Sequence, residues 1–412
     1  MERWKKDELL LQAAEYFKKP GFKRLFERLY ERYQSLSRMG GTIHISALTR
    51  EESEALEGFL QMNTPEGKGL SLSVSRIRKA LKNTRFDLCS LEDIVPLVLE
   101  GSMISNKQKK DEKRKELEVF LDSLENPLPP FYPLITADYN RDRHWAEEHI
   151  PLILHAVNSL PAHAGKYERL PVFAAVTTGN PHYFDEGKRG LTYLLYGIRH
   201  FWGNAGQIGN SAESRTELLY KGGILKDDLY NWVLCFGILG YLDCGELHRG
   251  MEAYLKNGEP QILTLQNISL LKSADTVEKE VYVVENPAVF SRIVSRRRNN
   301  CACICSGGQL RLSVLILLDL LVRNQVTVYY SGDFDPEGLC IAQKLISRYG
   351  DGLKLWCYDE NMYYKSISSE VISDRRLAQL KGITDSRLSA IGMLLQGHKH
   401  PGYQENIIDC FY

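Results

Sequence analysis

The sequence carries no excess of either charge. Its 412 residues hold 52 lysines and arginines against 52 aspartates and glutamates. This balance removes the bulk electrostatic signature of a nucleic-acid-binding protein, so any such surface must come from local segregation of charge. No apolar run approaches the roughly 18 residues that a membrane span requires. The longest, Leu312 to Val322, is interrupted by Asp319 and reads as a buried helix. The opening Met-Glu-Arg-Trp-Lys-Lys-Asp-Glu lacks the apolar h-region of a signal peptide, and the nine cysteines are therefore expected as reduced thiols in a cytosol. Cys-x-x-Cys and Cys-x-x-His pairs are missing, which removes the spacing of a structural zinc site. Cys301, Cys303 and Cys305 alternate along one strand, share one face, and read as small core residues. There is no long internal repeat, no low-complexity tract and no Gly-x-x-x-x-Gly-Lys-Ser/Thr phosphate loop.

What is present is a chain too long for one ordinary core, organised in segments of different character. Residues 1–40 place Leu9, Leu10, Ala13, Ala14, Phe17, Phe22, Leu25, Phe26, Leu29, Tyr30 and Tyr33 at helical spacing around Pro20-Gly21. Two short alternating stretches, Thr42 to Ser46 and Leu70 to Val74, flank a helix opened by Thr49-Arg-Glu-Glu52 in the form of a capping box. A short basic helix follows from Ser75 to Leu81. The pattern suits a winged-helix-like arm facing DNA and equally a small packing domain. The charge run from Asn106 to Glu116 reads as a solvated helix face before it reads as a phosphate-binding stripe. Asn126-Pro-Leu-Pro-Pro-Phe-Tyr-Pro133 breaks any helix and marks a boundary. Residues 143–250 read as mostly helical, with a loop at Gly179 to Asp185 and two helices on either side of Gly222-Gly223, the second running through Asp227-Asp-Leu-Tyr230-Asn-Trp-Val-Leu. His182 and Asp185 in the loop are more simply structural than catalytic. From Gln261 strands alternate with helices, the pattern of a parallel sheet with helices on its faces. The expected domains are 1–125, 126–260 and 261–412.

Two stretches in the last segment carry chemistry. Val281-Tyr-Val-Val-Glu285-Asn-Pro and Val326-Thr-Val-Tyr-Tyr-Ser-Gly-Asp333-Phe-Asp335-Pro-Glu-Gly338 each begin as a buried strand and end in carboxylates. Ligands of open α/β sheets bind at this carboxyl edge. Asp333 and Asp335 point the same way in an extended segment, and the helix that follows directs its positive end at the same place. Carboxylates gathered there repel one another unless a divalent cation intervenes, and hard oxygen ligands suit Mg²⁺ or Mn²⁺.

At these residues the chain resembles the Toprim domain of topoisomerases, bacterial primases, small nucleases and the topoisomerase VI A subunit, through a Glu after one strand and Gly-Asp-x-Asp-Pro-x-Gly after a later one. The wider pattern resembles the JetD family, the nuclease subunits of Wadjet anti-plasmid defence systems. That likeness is carried by Arg296-Arg-Arg298, the Cys-bearing strand with Ser306-Gly-Gly-Gln309, Gly332-Asp-Phe-Asp335, Leu355-Trp356 and Gln404-Glu405. Thr178 to Asp185, followed by Arg215 to Ile224, fits one branch of that family. The resemblance is specific around 285 and 332–341 and weak before residue 120. It implies an α+β multidomain fold: a helical, winged-helix-like arm, a helical DNA-facing domain and a C-terminal α/β Toprim domain with a parallel sheet.

It further implies a metal-dependent endodeoxyribonuclease of a prokaryotic cytoplasm. Glu285, Asp333 and Asp335 would be catalytic and, with Glu405, would hold Mg²⁺ or Mn²⁺. The substrate would be double-stranded, closed circular plasmid DNA. The partners would be the SMC ATPase, kleisin and small winged-helix subunits of the same system, which agrees with the missing phosphate loop. A homodimer would supply one site per strand. Arg292, Arg296, Arg297 and Arg298 cluster at the far end of the helix after Glu285, roughly 15 Å from the carboxylates at 1.5 Å per residue. They suit backbone phosphates, and equally a solvated helix C-terminus. Two alternatives stay open: a topoisomerase VI A-like subunit cutting through a tyrosine such as Tyr220, and a non-catalytic DNA-binding adaptor on a Toprim scaffold.

Overall fold

The computed structural model describes residues 3–203, 211–296, 301–308 and 310–411. Contacts divide the chain into two units, Met1–Leu124 with Tyr139–Arg141, and Glu125–Asp138 with Asp142–Tyr412.

The first unit packs helices around a two-stranded ladder. Strand β1 (Thr42–Ile45) pairs antiparallel with β2 (Leu70–Ser73), Ile43 opposite Leu72. The alternation of β1 puts Ile43 and Ile45 inside and Thr42 and His44 outside. Phe17, Phe22, Phe26 and Phe59 meet at its centre, each at most 5% exposed. The Thr49–Glu52 capping box forms as the sequence leads one to expect, and Arg24 pairs with the same Glu52. The charge run becomes the helix Asn106–Asp122, capped by Ser105 and burying Phe120 alone along its length.

The second unit contains β3 (Glu168–Arg169), β4 (Ile224–Leu225), β5 (Trp232–Phe236), β6 (Leu239–Leu242), β7 (Gln261–Thr264), β8 (Leu271–Asp275), β9 (Glu280–Val284), β10 (Cys303–Cys305), β11 (Thr327–Tyr330) and β12 (Leu353–Leu355). Six of them form one sheet in the order β12-β11-β9-β10-β5-β7. Strands β12, β11, β9 and β10 are parallel; β5 is antiparallel to both β10 and β7. The sheet is thus mostly parallel rather than wholly so. The helices Pro287–Arg296, Leu312–Arg323 and Pro336–Tyr349 connect its parallel strands. Val281, Val283, Val328, Leu317, Leu321, Leu339 and Leu345 are fully buried in the core. Asp319, which interrupts the apolar run, lies on its helix where Arg348 forks onto it at 2.6 and 2.8 Å.

One expectation for the middle segment fails. Residues Trp232–Phe236 are a strand, not part of a second helix after Gly222-Gly223. Trp-Val-Leu-Cys-Phe is rich in aromatic and β-branched residues, and its ladder partners lie in β7 and β10, so only the assembled sheet reveals it. The sheet therefore draws a strand from before residue 261. Among the described residues, no helix is long and apolar enough to cross a membrane.

Candidate active site

The register of the sheet brings the carboxylates together. Tyr330 lies opposite Val283 in the parallel β9–β11 pair. Glu285, two residues beyond Val283, and Asp333, three beyond Tyr330, therefore leave neighbouring strands at the same edge. Asp335 caps the helix Pro336–Tyr349, its Oδ1 accepting the Gly338 N–H at 2.7 Å, with Pro336 at the first helical position. Tyr330, fully buried, donates its hydroxyl to Glu285 Oε1. Gly332 leaves room for this pair: a Cβ there would overlap both the Glu285 carboxylate and the Tyr330 hydroxyl. A Cβ at Gly338 would overlap the Asp333 carbonyl. The two glycines of the Gly-Asp-x-Asp-Pro-x-Gly pattern are thus required by space.

The C-terminal tail closes the site from the side. Phe334 and Gly402 exchange main-chain hydrogen bonds at 2.8 and 3.0 Å. Two residues on, the buried Gln404 donates its N–H to Asp333 Oδ1 at 3.0 Å. Its side-chain Oε1 accepts from the N–H of Glu285 at 3.2 Å and of Asn286 at 3.3 Å. Asn286 in turn donates to Glu405, whose carboxylate is exposed. Tyr358 donates to the Asp333 carbonyl at 2.9 Å and stacks on Phe334 at 4.7 Å.

Electrostatics follow from this crowding. Burial pushes Glu285 up to about 8, with the Asp333 and Asp335 carboxylates adding to the shift against the Tyr330 hydrogen bond. Asp333 is pushed up to about 6, chiefly by burial, with Glu405 and Asp335 adding to it. Asp335 is also raised by burial, in spite of the Gly338 N–H and the Arg376 guanidinium. Carboxylates that resist ionisation at a strand edge are the donor set a hard divalent cation stabilises. Among the described residues, no three His, Cys, Asp or Glu side chains form a ready-made metal cluster. Mg²⁺ does not require one, since it usually keeps several waters and takes one or two carboxylates together with substrate phosphates. The hard oxygen donors of Glu285 and Asp333, at the ends of adjacent strands, are of the kind such an ion takes.

The remaining sequence candidates divide. Arg292 and Arg296 are exposed on the helix Pro287–Arg296, and Arg296 pairs with Asp409 at 3.3 Å. Arg297 and Arg298 lie outside the described residues. Tyr220 is only 9% exposed. It packs with Leu225, Leu265 and Leu312 and against the Tyr167 ring at 4.9 Å. It is placed as a core residue, not as an accessible nucleophile. Cys303 and Cys305 are buried in β10, and burial raises both thiols. His182 and Asp185 pair with each other at 3.0 Å in an exposed loop. Reading residues alone missed Tyr330 as the partner of Glu285, the bridging role of Gln404, and Arg376, which binds Asp335. A tyrosine three residues before an Asp-x-Asp was the one local signal; the others arise only across distant sequence.

The chain is mixed α+β, with a C-terminal six-stranded, mostly parallel sheet and clustered carboxylates at its carboxyl edge. Residues 39–240 match the family described as Protein of unknown function N-terminus (DUF3323), and residues 261–411 match Protein of unknown function C-terminus (DUF2399). The chain carries these two families' regions in that order. No curated protein matches it.

Proposed function

We propose that this chain is a metal-dependent endodeoxyribonuclease of the Toprim type, acting as the cleaving subunit of a Wadjet-like, SMC-driven defence complex against plasmids. The observation that carries the reading is the meeting of Glu285 and Asp333 at the ends of adjacent parallel strands, fastened to each other through Gln404. The succession of the two families' regions supports it. A bound Mg²⁺ or Mn²⁺ would supply charge stabilisation at the phosphoryl oxygens and an activated water.

The chain's own residues do the rest. Asp333 and Glu285, with Glu405 beside them, would hold the cation. With Oε1 of Glu285 held by Tyr330, its other oxygen would either share the cation or act as general acid or base. Burial raises the Glu285 carboxyl, which would suit it to exchange a proton near neutral pH in the latter role. Arg292 and Arg296 would meet backbone phosphates, giving salt-dependent affinity without sequence reading. The first unit, read as a winged-helix-like arm, would face DNA or the partner subunits, and a homodimer would place one site on each strand.

The test is cleavage of supercoiled plasmid by wild type, Asp333→Ala and Glu285→Ala with Mg²⁺ or Mn²⁺. Each reaction is run with and without the SMC partners and ATP, and half of it is treated with protease before electrophoresis. Linear product from wild type alone, unchanged by protease, is the expected result. Product visible only after protease would assign a tyrosyl-linked cut instead. DNA binding without cleavage, with Glu285→Ala retaining full plasmid restriction, would assign a non-catalytic adaptor.

A further inference from the structure

The carboxylates of the site fall into two groups with different partners. Asp335 and Glu337 share one guanidinium. Arg376, on the short helix Asp374–Leu377, places Nη2 at 2.6 Å from Asp335 Oδ2 and 2.6 Å from Glu337 Oε2. Its Nε lies 3.1 Å from both Glu337 oxygens. Gln379 donates to Glu337 Oε1 at 2.8 Å. The second oxygen of Asp335 accepts the Gly338 N–H. Both oxygens of Asp335 are thus engaged, one by a helix N-terminus and one by a cation.

Glu285 and Asp333 have neutral partners. Glu285 accepts from Tyr330, and Asp333 accepts from the Gln404 N–H. Among the described residues, no cationic side chain is paired with either carboxylate. One further polar group at this half of the site lacks a partner among the described residues: the Nε2 of Gln404, whose Oε1 accepts the Glu285 N–H. Gln404 is 0% exposed. A buried donor left unpaired is costly and marks a place where water or a ligand's hydration shell belongs.

We propose that Arg376 is the built-in cation of Asp335 and Glu337, so that the site takes a single divalent ion on Glu285 and Asp333 while Asp335 serves as a positioning residue. The proposal rests on reading the site as a divalent-cation centre. It departs from the expectation that Asp335 is a ligand: Asp335 fixes the start of the helix Pro336–Tyr349 and anchors Arg376. An arginine cannot lose its charge under working conditions, so this half of the site stays neutralised whether or not a metal is present.

The experiment is Mn²⁺ titration of the full-length chain, followed by the electron paramagnetic resonance signal of free Mn²⁺ and by calorimetry, with thermal melting to confirm folding. Wild type should bind one ion. Asp335→Asn should still bind one, with affinity within about threefold, whereas Asp333→Asn should weaken binding by about tenfold or more, at least the scale on which changes to a ligand's outer-shell partners act. Arg376→Gln should bind a second ion at the released Asp335–Glu337 pair. Two ions in wild type would overturn the proposal. So would a folded Asp335→Asn that loses binding as Asp333→Asn does, or an Arg376→Gln that still binds one ion. Any of these leaves the cation-centre reading intact. Wild type that binds no Mn²⁺ at all overturns both.

Discussion

The main-chain N–H of Gln404 donates to the Asp333 carboxylate at 3.0 Å across 71 residues of sequence. The same residue's Oε1 accepts from the N–H groups of Glu285 and Asn286. One tail residue therefore fastens the ends of two parallel strands to each other. Gln404→Ala keeps the main-chain bond to Asp333 but leaves two N–H groups unpaired in a buried setting. The expected cost is about 1–3 kcal/mol of stability. Plasmid cleavage should fall more than this stability loss explains, because Glu285 and Asp333 lose their common brace. Urea denaturation and cleavage rates on the same preparation check both. A variant with wild-type stability and rate would show that the tail merely covers the edge.

Gly332 is required by space and not by backbone conformation, since its φ is not among the positive values of this chain. A methyl group there meets the Glu285 carboxylate and the Tyr330 hydroxyl. Gly332→Ala is expected to separate Tyr330 from Glu285 while β11 and its core persist. Overpacking of this kind costs about 1–3 kcal/mol. The chain should stay folded by circular dichroism and lose plasmid cleavage. Retained cleavage at the wild-type rate would mean that the Tyr330–Glu285 hydrogen bond plays no part in the chemistry.

The pH dependence of stability has a definite sign. Glu285 and Asp333 hold their protons in the folded chain to about 8 and about 6, chiefly because both are buried. In the unfolded chain they release them near the ordinary carboxylate values of 4.5 and 3.8. Below those values both states are protonated and the groups cost nothing. As pH rises towards 8 the unfolded state ionises first, so the metal-free chain loses stability, on the order of a few kcal/mol in all. Denaturation in EDTA should show falling stability from pH 5 to pH 8. Glu285→Gln should flatten that slope, and added Mn²⁺ should reverse part of it. A rise in stability with pH over this range would contradict the buried, cation-free description of the site.

Much of this site was legible in local sequence, because its scaffold is local. Glu280–Val284 and Thr327–Tyr330 announce themselves by β-branched and aromatic residues, and Glu285, Asp333 and Asp335 follow them directly. What was not legible is what arrives from far along the chain. Trp232–Phe236 needs β7 and β10 to be a strand. Gln404 needs the tail to fold back, and Arg376 reaches Asp335 across 41 residues. An arginine near the end of a chain carries no local sign that it neutralises a distant aspartate. The division of the carboxylates into a paired half and an unpaired half is therefore visible only in three dimensions.

The same distinction bears on how a DNA strand would be cut. A tyrosine that forms a covalent bond to a phosphate must present its oxygen to the substrate and lose its proton. Tyr220 meets neither condition as folded. It is packed among Leu225, Leu265 and Leu312, and burial holds its hydroxyl far above the ordinary tyrosine range. Tyr220→Phe removes only that hydroxyl and preserves the packing of the ring. Plasmid cleavage by Tyr220→Phe should match wild type, with product that enters a gel freely without protease. Stability should change by less than about 1.5 kcal/mol, the worth of one ordinary hydrogen bond. If cleavage vanished while the melting temperature held, and wild type left protein joined to the DNA ends in detergent, the cut would be tyrosyl-linked. The carboxylates at the ends of β9 and β11 would then assist that cut and not perform hydrolysis themselves.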